Sequence, residues 1–100
     1  MNRSTINDPT ILILASLADG DKHGYAMVQD IERFADVHLG PGTLYGALTR
    51  LEEQGWIQPL EAEERRMPYR LTALGRSVLE EQVGGMGRVV KTALQRLKHA

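Results

Sequence analysis

The sequence predicts a mainly α-helical chain with a small β-hairpin and a long C-terminal helix. Three observations carry this expectation. Apolar residues recur at helical spacing in blocks before residue 55. Between residues 56 and 71 a short apolar run, a charged tip and a second short run make the pattern of a hairpin. Beyond residue 72, Leu79, Val83, Met86, Val90, Ala93 and Leu97 alternate steps of four and three, which is a heptad seam. Three helices, a hairpin and one further helix are the order of a winged helix-turn-helix with an appended helix. The expected divisions are a flexible N-terminus at 1–7, the winged unit at 8–71 and a C-terminal dimerisation helix at 72–100.

Each element has its own local reason. Residues 1–7 are polar and expected to be mobile. Asp8-Pro9 reads as an N-cap followed by proline at the first helical position. The run Ile11 to Ala18 fits a buried strand by periodicity alone, but the Asp-Pro start and the Gly20 stop favour a buried helix. Asp19 to Lys22 reads as a turn. The second helix spans about Gly24 to Ala35, with Met27, Val28, Ile31, Phe34 and Ala35 on one face. The third runs from Pro41 to about Gln54 and stops at Gly55. Its inner face is Leu44, Ala47, Leu48 and Leu51; Thr43, Gly46, Thr49, Arg50 and Glu53 point the other way, with Tyr45 at the flank. Trp56 to Leu60 and Met67 to Leu71 read as paired strands, and Pro59 and Pro68 imply that both are partly edges. Thr72 caps the last helix.

Composition narrows the function classes. One hundred residues, 42% hydrophobic and 25% charged, indicate one globular domain. The absence of cysteine excludes disulfides, thiolate zinc sites and cysteine nucleophiles. No signal peptide or membrane span is expected, so a cytoplasmic protein with no membrane partner is the default. His23, His38 and His99 lack metal-ligand spacing, and the serines lie in no nucleophile-elbow setting. Gly84, Gly85 and Gly87 fall mid-helix with no preceding strand, which rejects a dinucleotide fingerprint. An enzyme is therefore not expected, nor is any cofactor or metal. Charge argues against a simple nucleic-acid binder. The net charge is −1, with seven Lys/Arg against eleven Asp/Glu in residues 1–71 and five against two in residues 72–100.

Nucleic-acid binding must then rest on single positions. A helix that enters the major groove needs a thin, polar outer face, which Thr43, Gly46, Thr49 and Arg50 supply. Glycine inside a helix costs about 0.5–1 kcal/mol relative to alanine, so Gly46 suggests close approach by something. Arg65 and Arg66 sit at the hairpin tip, where a wing meets the sugar-phosphate backbone, although Glu61, Glu63 and Glu64 favour a merely solvated turn. His23-Gly24-Tyr25 opens the second helix, and its amides, Lys22 and the Tyr25 hydroxyl suit a phosphate. The competing reading packs Tyr25 as an amphipathic wedge. The heptad face exceeds what three short helices can cover, so a second copy of the chain is the expected partner. Gly84, Gly85 and Gly87 weaken that helix by about 2–3 kcal/mol at glycine rates and mark a bend or a close approach.

At this point the chain resembles the PadR family of transcriptional regulators. The resemblance lies in Ile11 to Gly20, in His23-Gly24-Tyr25, and in the run from Leu39-Gly40-Pro41-Gly42-Thr43-Leu44-Tyr45 to Gly55-Trp56-Ile57. It continues through Arg65-Arg66 and Tyr69-Arg70-Leu71-Thr72 into Gly75. It implies a homodimeric winged-helix repressor that binds double-stranded DNA at a pseudo-palindromic operator and is often released by a small molecule. It places Thr43, Tyr45 and Thr49 on the recognition helix, Tyr25 on a phosphate-contacting segment, and Arg65 and Arg66 on the wing. The single terminal helix is similar to the short subfamily. Three departures stand out: Gly40 where a serine cap is common, an acid-rich wing tip lacking its frequent glycine, and the triple glycine of the last helix. The alternative function is a winged-helix protein-protein interaction module that never touches DNA. A hydrophobic small-molecule effector, held between the last helices by Val83, Met86 and Val90, is compatible with the first reading.

Overall fold

The computed structural model describes residues 8–99, so the stretch expected to be flexible, 1–7, lies outside the described residues. In chain order the elements are α1 (Pro9–Leu17), β1 (Lys22–His23), α2 (Gly24–Ala35), α3 (Pro41–Glu53), β2 (Ile57–Pro59), β3 (Pro68–Leu71) and α4 (Ala73–Lys98). This is a winged helix-turn-helix with a long fourth helix.

The helix boundaries follow from capping chemistry. The Asp8 carboxylate accepts from the Thr10 amide at 2.9 Å, and Pro9 follows at the first helical position. α1 is apolar nearly all round and runs through the centre, burying Leu12, Ile13, Leu14, Ser16 and Leu17. The Ser16 hydroxyl, sealed from solvent, donates to Asp30 on α2 at 2.7 Å, so its burial leaves no orphan. α3 ends where Gly55 takes φ +78°, with the Gly55 amide donating to Glu52 O and the Trp56 amide to Leu51 O, both at 3.0 Å. These two bonds satisfy carbonyls that a helix end would otherwise leave unpaired. α2 ends at Asp36, a non-glycine residue with φ +55°.

The sheet is where expectation and structure differ. It has three antiparallel strands in the order β1-β3-β2 rather than two. Lys22, expected within a turn, pairs with Tyr69, and His23 pairs with Pro68. A two-residue strand held by partners more than forty positions away leaves no periodic trace. The pairing is reinforced by Asp21, whose carboxylate accepts from Arg70 Nε at 3.1 Å and Nη2 at 2.9 Å. β3 is therefore central, which corrects the expectation that Pro68 marks an edge. Pro68 is the first residue of its strand, where its missing N–H breaks no ladder, and its carbonyl accepts from the Leu60 amide at 2.9 Å. β2, which contains Pro59, is an edge strand, as is β1.

The core gathers Leu12, Ile13, Leu14, Leu17, Met27, Ile31, Leu44, Leu48, Leu51, Ile57, Leu71 and Leu79 among its members. Phe34, expected on the buried face of α2, is half exposed. α4 joins this core by its first two turns, through Gly75, Val78 and Leu79. Its start is fastened to the end of α3: the Thr72 hydroxyl donates to Gly55 O at 2.7 Å, and the Thr72 amide donates to Trp56 O at 3.1 Å. A Cβ on Gly75 would sit 2.0 Å from that same Trp56 oxygen, so only glycine allows the approach. From there α4 projects away as one uninterrupted helix of 26 residues, about 39 Å at 1.5 Å per residue, passing straight through Gly84, Gly85 and Gly87.

Candidate nucleic-acid interface

The outer face of α3 has the thinness that the sequence suggests. Thr43, Gly46, Thr49 and Arg50 are all exposed, while Leu44, Ala47, Leu48 and Leu51 are buried behind them. The Thr49 hydroxyl donates back to Tyr45 O at 3.0 Å, which leaves its methyl and remaining lone pairs facing outward. A Cβ on Gly46 would meet nothing closer than the Arg50 guanidinium at 3.8 Å. Nothing among the described residues therefore requires glycine there.

Beside α3, three segments far apart in sequence meet at one cleft of about 250 Å³, lined by His23, Gly24, Tyr25, Tyr45, Arg65, Arg66, Met67 and Tyr69. All three tyrosines of the chain lie on it, together with two arginines and no carboxylate. Tyr25 is 62% exposed, so it is no buried wedge, and its hydroxyl accepts from Gln29 Nε2 at 3.3 Å. Tyr45 leans over the start of α2. A Cβ on Gly24 would come within 3.0 Å of its hydroxyl and 3.2 Å of Leu44 Cδ2, so glycine lets the two helices close up here. Burial pushes the Tyr69 phenol above its ordinary value, and the nearby Glu52 carboxylate adds to this. Tyr69 thus remains a neutral donor.

The wing turns through Glu64 and Arg65, with φ of +48° and +72°. Glu63 and Arg66 close it by two backbone hydrogen bonds, at 2.7 and 2.8 Å. A two-residue turn with both φ positive matches the twist of its flanking strands, but it is normally built from Asn and Gly. Here the two side chains are held in a strained backbone region, with Arg65 on the tyrosine cleft. Glu63 and Glu64 line a second depression of about 340 Å³, together with His23, Arg66 and Pro68. Glu63 and Glu64 thus line this second depression, while the tyrosine cleft is lined by no carboxylate.

Not every expected residue converges. The Lys22 ammonium turns inward, donating to the Ser16 carbonyl and pairing with Asp19, whose carboxyl it holds below the ordinary value. Arg50 lies toward the end of α3, beside a depression shared with Trp56, Val78 and Gln82 rather than in the cleft. On α4, Leu79 is buried in its own domain, whereas Val83, Val90, Ala93 and Leu97 are exposed and Met86 is half-buried. Val89 and Leu94 widen that apolar face. Tyr69 and Met67 are lining residues that the sequence does not point to; the Tyr69-Arg70-Leu71-Thr72 motif is the available signal for the first. Among the described residues no group of His, Asp and Glu could hold a metal ion, and no helix is long and apolar enough to cross a membrane.

Known proteins share this fold and part of its sequence. The chain is 47% identical over 83 residues to a 37.1 kDa protein of transposon TN4556 from Streptomyces fradiae, covering 83% of the chain but only 24% of that protein. It thus spans about a quarter of that relative's length. It is 32% identical over 91 residues to the transcriptional regulator Rv3488 of Mycobacterium tuberculosis, covering 87% of the chain and 83% of the regulator. The solved structure of a transcriptional regulator from Clostridium thermocellum superposes with a TM-score of 0.81 at 28% identity, over 95% of this chain and 96% of that one. Residues 13–81 match the model of the transcriptional regulator PadR-like family, a family of regulators and not of enzymes. With the winged fold, the thin outer face of α3 and this match over most of its length, the chain belongs to the transcriptional regulator PadR-like family.

Proposed function

We propose that this chain is a cytoplasmic, homodimeric regulator that binds double-stranded DNA in a sequence-specific way and represses by occupying its operator. One observation carries the reading. The thin outer face of α3 adjoins a cleft that gathers two arginines and three tyrosines and excludes carboxylates, in a chain whose net charge is −1. α3 would enter the major groove, with Thr43, Tyr45, Gly46, Thr49 and Arg50 at base edges or phosphates. His23, Tyr25, Arg65 and Arg66 would hold the backbone alongside. Lys22 would act through the fold, by fixing β1, rather than on phosphate.

Pairing rests on α4. Its apolar seam of Val83, Met86, Val90, Ala93 and Leu97 lies open beyond the core, and Leu97 is 73% exposed. A Cβ on Gly84, Gly85 or Gly87 would meet at most an Arg88 guanidinium, so these glycines serve no packing among the described residues. They suit close approach by the α4 of a second copy. A hydrophobic effector between the two α4 helices, against Val83, Met86 and Val90, would release the DNA by altering the spacing of the α3 pair. The excess acid of residues 1–71 favours the second reading, a protein-binding winged helix.

Selection of bound fragments from genomic DNA separates the two. The regulator enriches a pseudo-palindrome whose half-sites lie about 10 base pairs apart, or a multiple of that. No enrichment over input would leave the protein-binding module standing.

A further inference from the structure

His23 makes two contacts that one neutral imidazole cannot make unaided. Its Nδ1 accepts the Ala26 amide at 3.3 Å and so caps α2. Its Nε2 lies 3.2 Å from Arg66 Nη1. A guanidinium only donates, and a neutral imidazole has a single lone pair. The cap uses that lone pair and leaves the proton on Nε2. Two N–H donors, one of them charged, then face each other across 3.2 Å. Such a pair is stable when both point at one acceptor between them, and the charge on Arg66 asks that this acceptor be anionic.

The surroundings say from which side it comes. The pair opens onto the cleft with Arg65, Tyr25, Tyr45 and Tyr69. His23 and Arg66 also border a second depression with Glu63, Glu64 and Pro68, where the two carboxylates disfavour an anion, so the tyrosine cleft is the side an anion would take. Among the described residues neither glutamate forms an ion pair with Arg66. β1 holds His23 in register beside Pro68, two residues from Arg66, so the pairing of β1 with β3 sets the distance between the two donors.

We infer that His23 Nε2–H and the Arg66 guanidinium together grip one phosphate oxygen of the DNA backbone, while His23 Nδ1 caps α2. The inference rests on the DNA-binding reading and deepens it. One imidazole ties the start of α2 and the wing to the same phosphate. It asks nothing of base identity, so the grip acts alike on any duplex sequence.

The test reads the tautomer directly. Long-range ¹H–¹⁵N spectra of the whole chain, recorded at alkaline pH, distinguish an Nε2–H imidazole from an Nδ1–H one. The expected spectrum has Nδ1 unprotonated, and on adding a random-sequence duplex the Nε2 proton sharpens and moves downfield. An Nδ1–H tautomer overturns the grip, because Nε2 would then simply accept from Arg66. Inorganic phosphate at the same phosphate concentration is the second arm; an equal shift with it would assign the site to free anions and overturn the DNA assignment. The variant His23→Asn keeps a capping oxygen and loses the Nε2 donor. It is expected to melt as the parent does and to bind the random duplex about tenfold more weakly, the worth of a hydrogen bond to a charged group. Unchanged duplex affinity in a folded His23→Asn overturns the grip and leaves DNA binding intact. Failure of the parent chain to bind any duplex overturns both.

Discussion

Replacing Gly46 with alanine separates what the fold needs from what a groove would need. Glycine within a helix costs about 0.5–1 kcal/mol relative to alanine. The added methyl would meet only the Arg50 guanidinium, at an ordinary 3.8 Å, so nothing offsets the gain. Gly46→Ala should therefore stabilise the protein by that amount, which raises the melting temperature by about 2–8 °C for a domain of this size. Protein concentration must be held constant, because the midpoint of a dimer depends on it. The same methyl stands on the exposed face proposed to lie against base edges. Pushing α3 back far enough to lose one base contact costs about 1–3 kcal/mol, a fall in affinity between about fivefold and 150-fold. Differential scanning fluorimetry and a fluorescence-anisotropy titration with a selected operator read the two effects on one sample. A lower melting temperature would refute the packing argument. A higher one with undiminished affinity would remove α3 from the groove.

Gly75→Ala should do the reverse, costing at least about 3 kcal/mol, because its methyl collides with the Trp56 carbonyl at 2.0 Å; near-parental urea unfolding would contradict this. Glu64→Asn relieves a left-handed residue at the wing tip and should raise the unfolding free energy by up to about 1 kcal/mol, read as a higher urea midpoint at an unchanged slope, and no gain would refute the strain. Asp21→Asn should lower stability at neutral pH. Arg70 holds the Asp21 carboxyl below its ordinary value of 3.8, so the pair stabilises above that pH and is lost as pH falls through the folded value. The gap between parent and variant in urea midpoint should narrow steadily as pH falls below 3.8, and a gap that stays constant there would rule out the ion pair as its cause.

Local chemistry in the sequence announces the helices plainly. Asp8-Pro9 starts α1 and Gly55 ends α3, and each does so by hydrogen bonds that the residue type itself allows. What stays hidden are features made by distant partners. β1 is two residues long and exists because Tyr69 and Pro68 lie beside it. Pro68 signals an edge only if it is not the first residue of its strand. The heptad seam of α4 is real in spacing, yet spacing cannot tell that Leu79 is covered by its own domain and Leu97 is not. The inward turn of Lys22 and the cap supplied by His23 Nδ1 depend on side-chain direction, on which charge counts and motif spacing are silent. The convergence of Tyr25, Tyr45, Arg65 and Arg66 on one cleft belongs to tertiary structure alone.

If the cleft holds the DNA backbone, the salt dependence of binding shows it most directly. The logarithm of the association constant for a selected operator should fall linearly with the logarithm of salt concentration. Arg65→Ala with Arg66→Ala should flatten that slope by about 1.8 for each wing engaged, one lost phosphate contact per arginine. Binding should weaken to the same degree on operator and random duplex. An unchanged slope in the double variant would contradict the account.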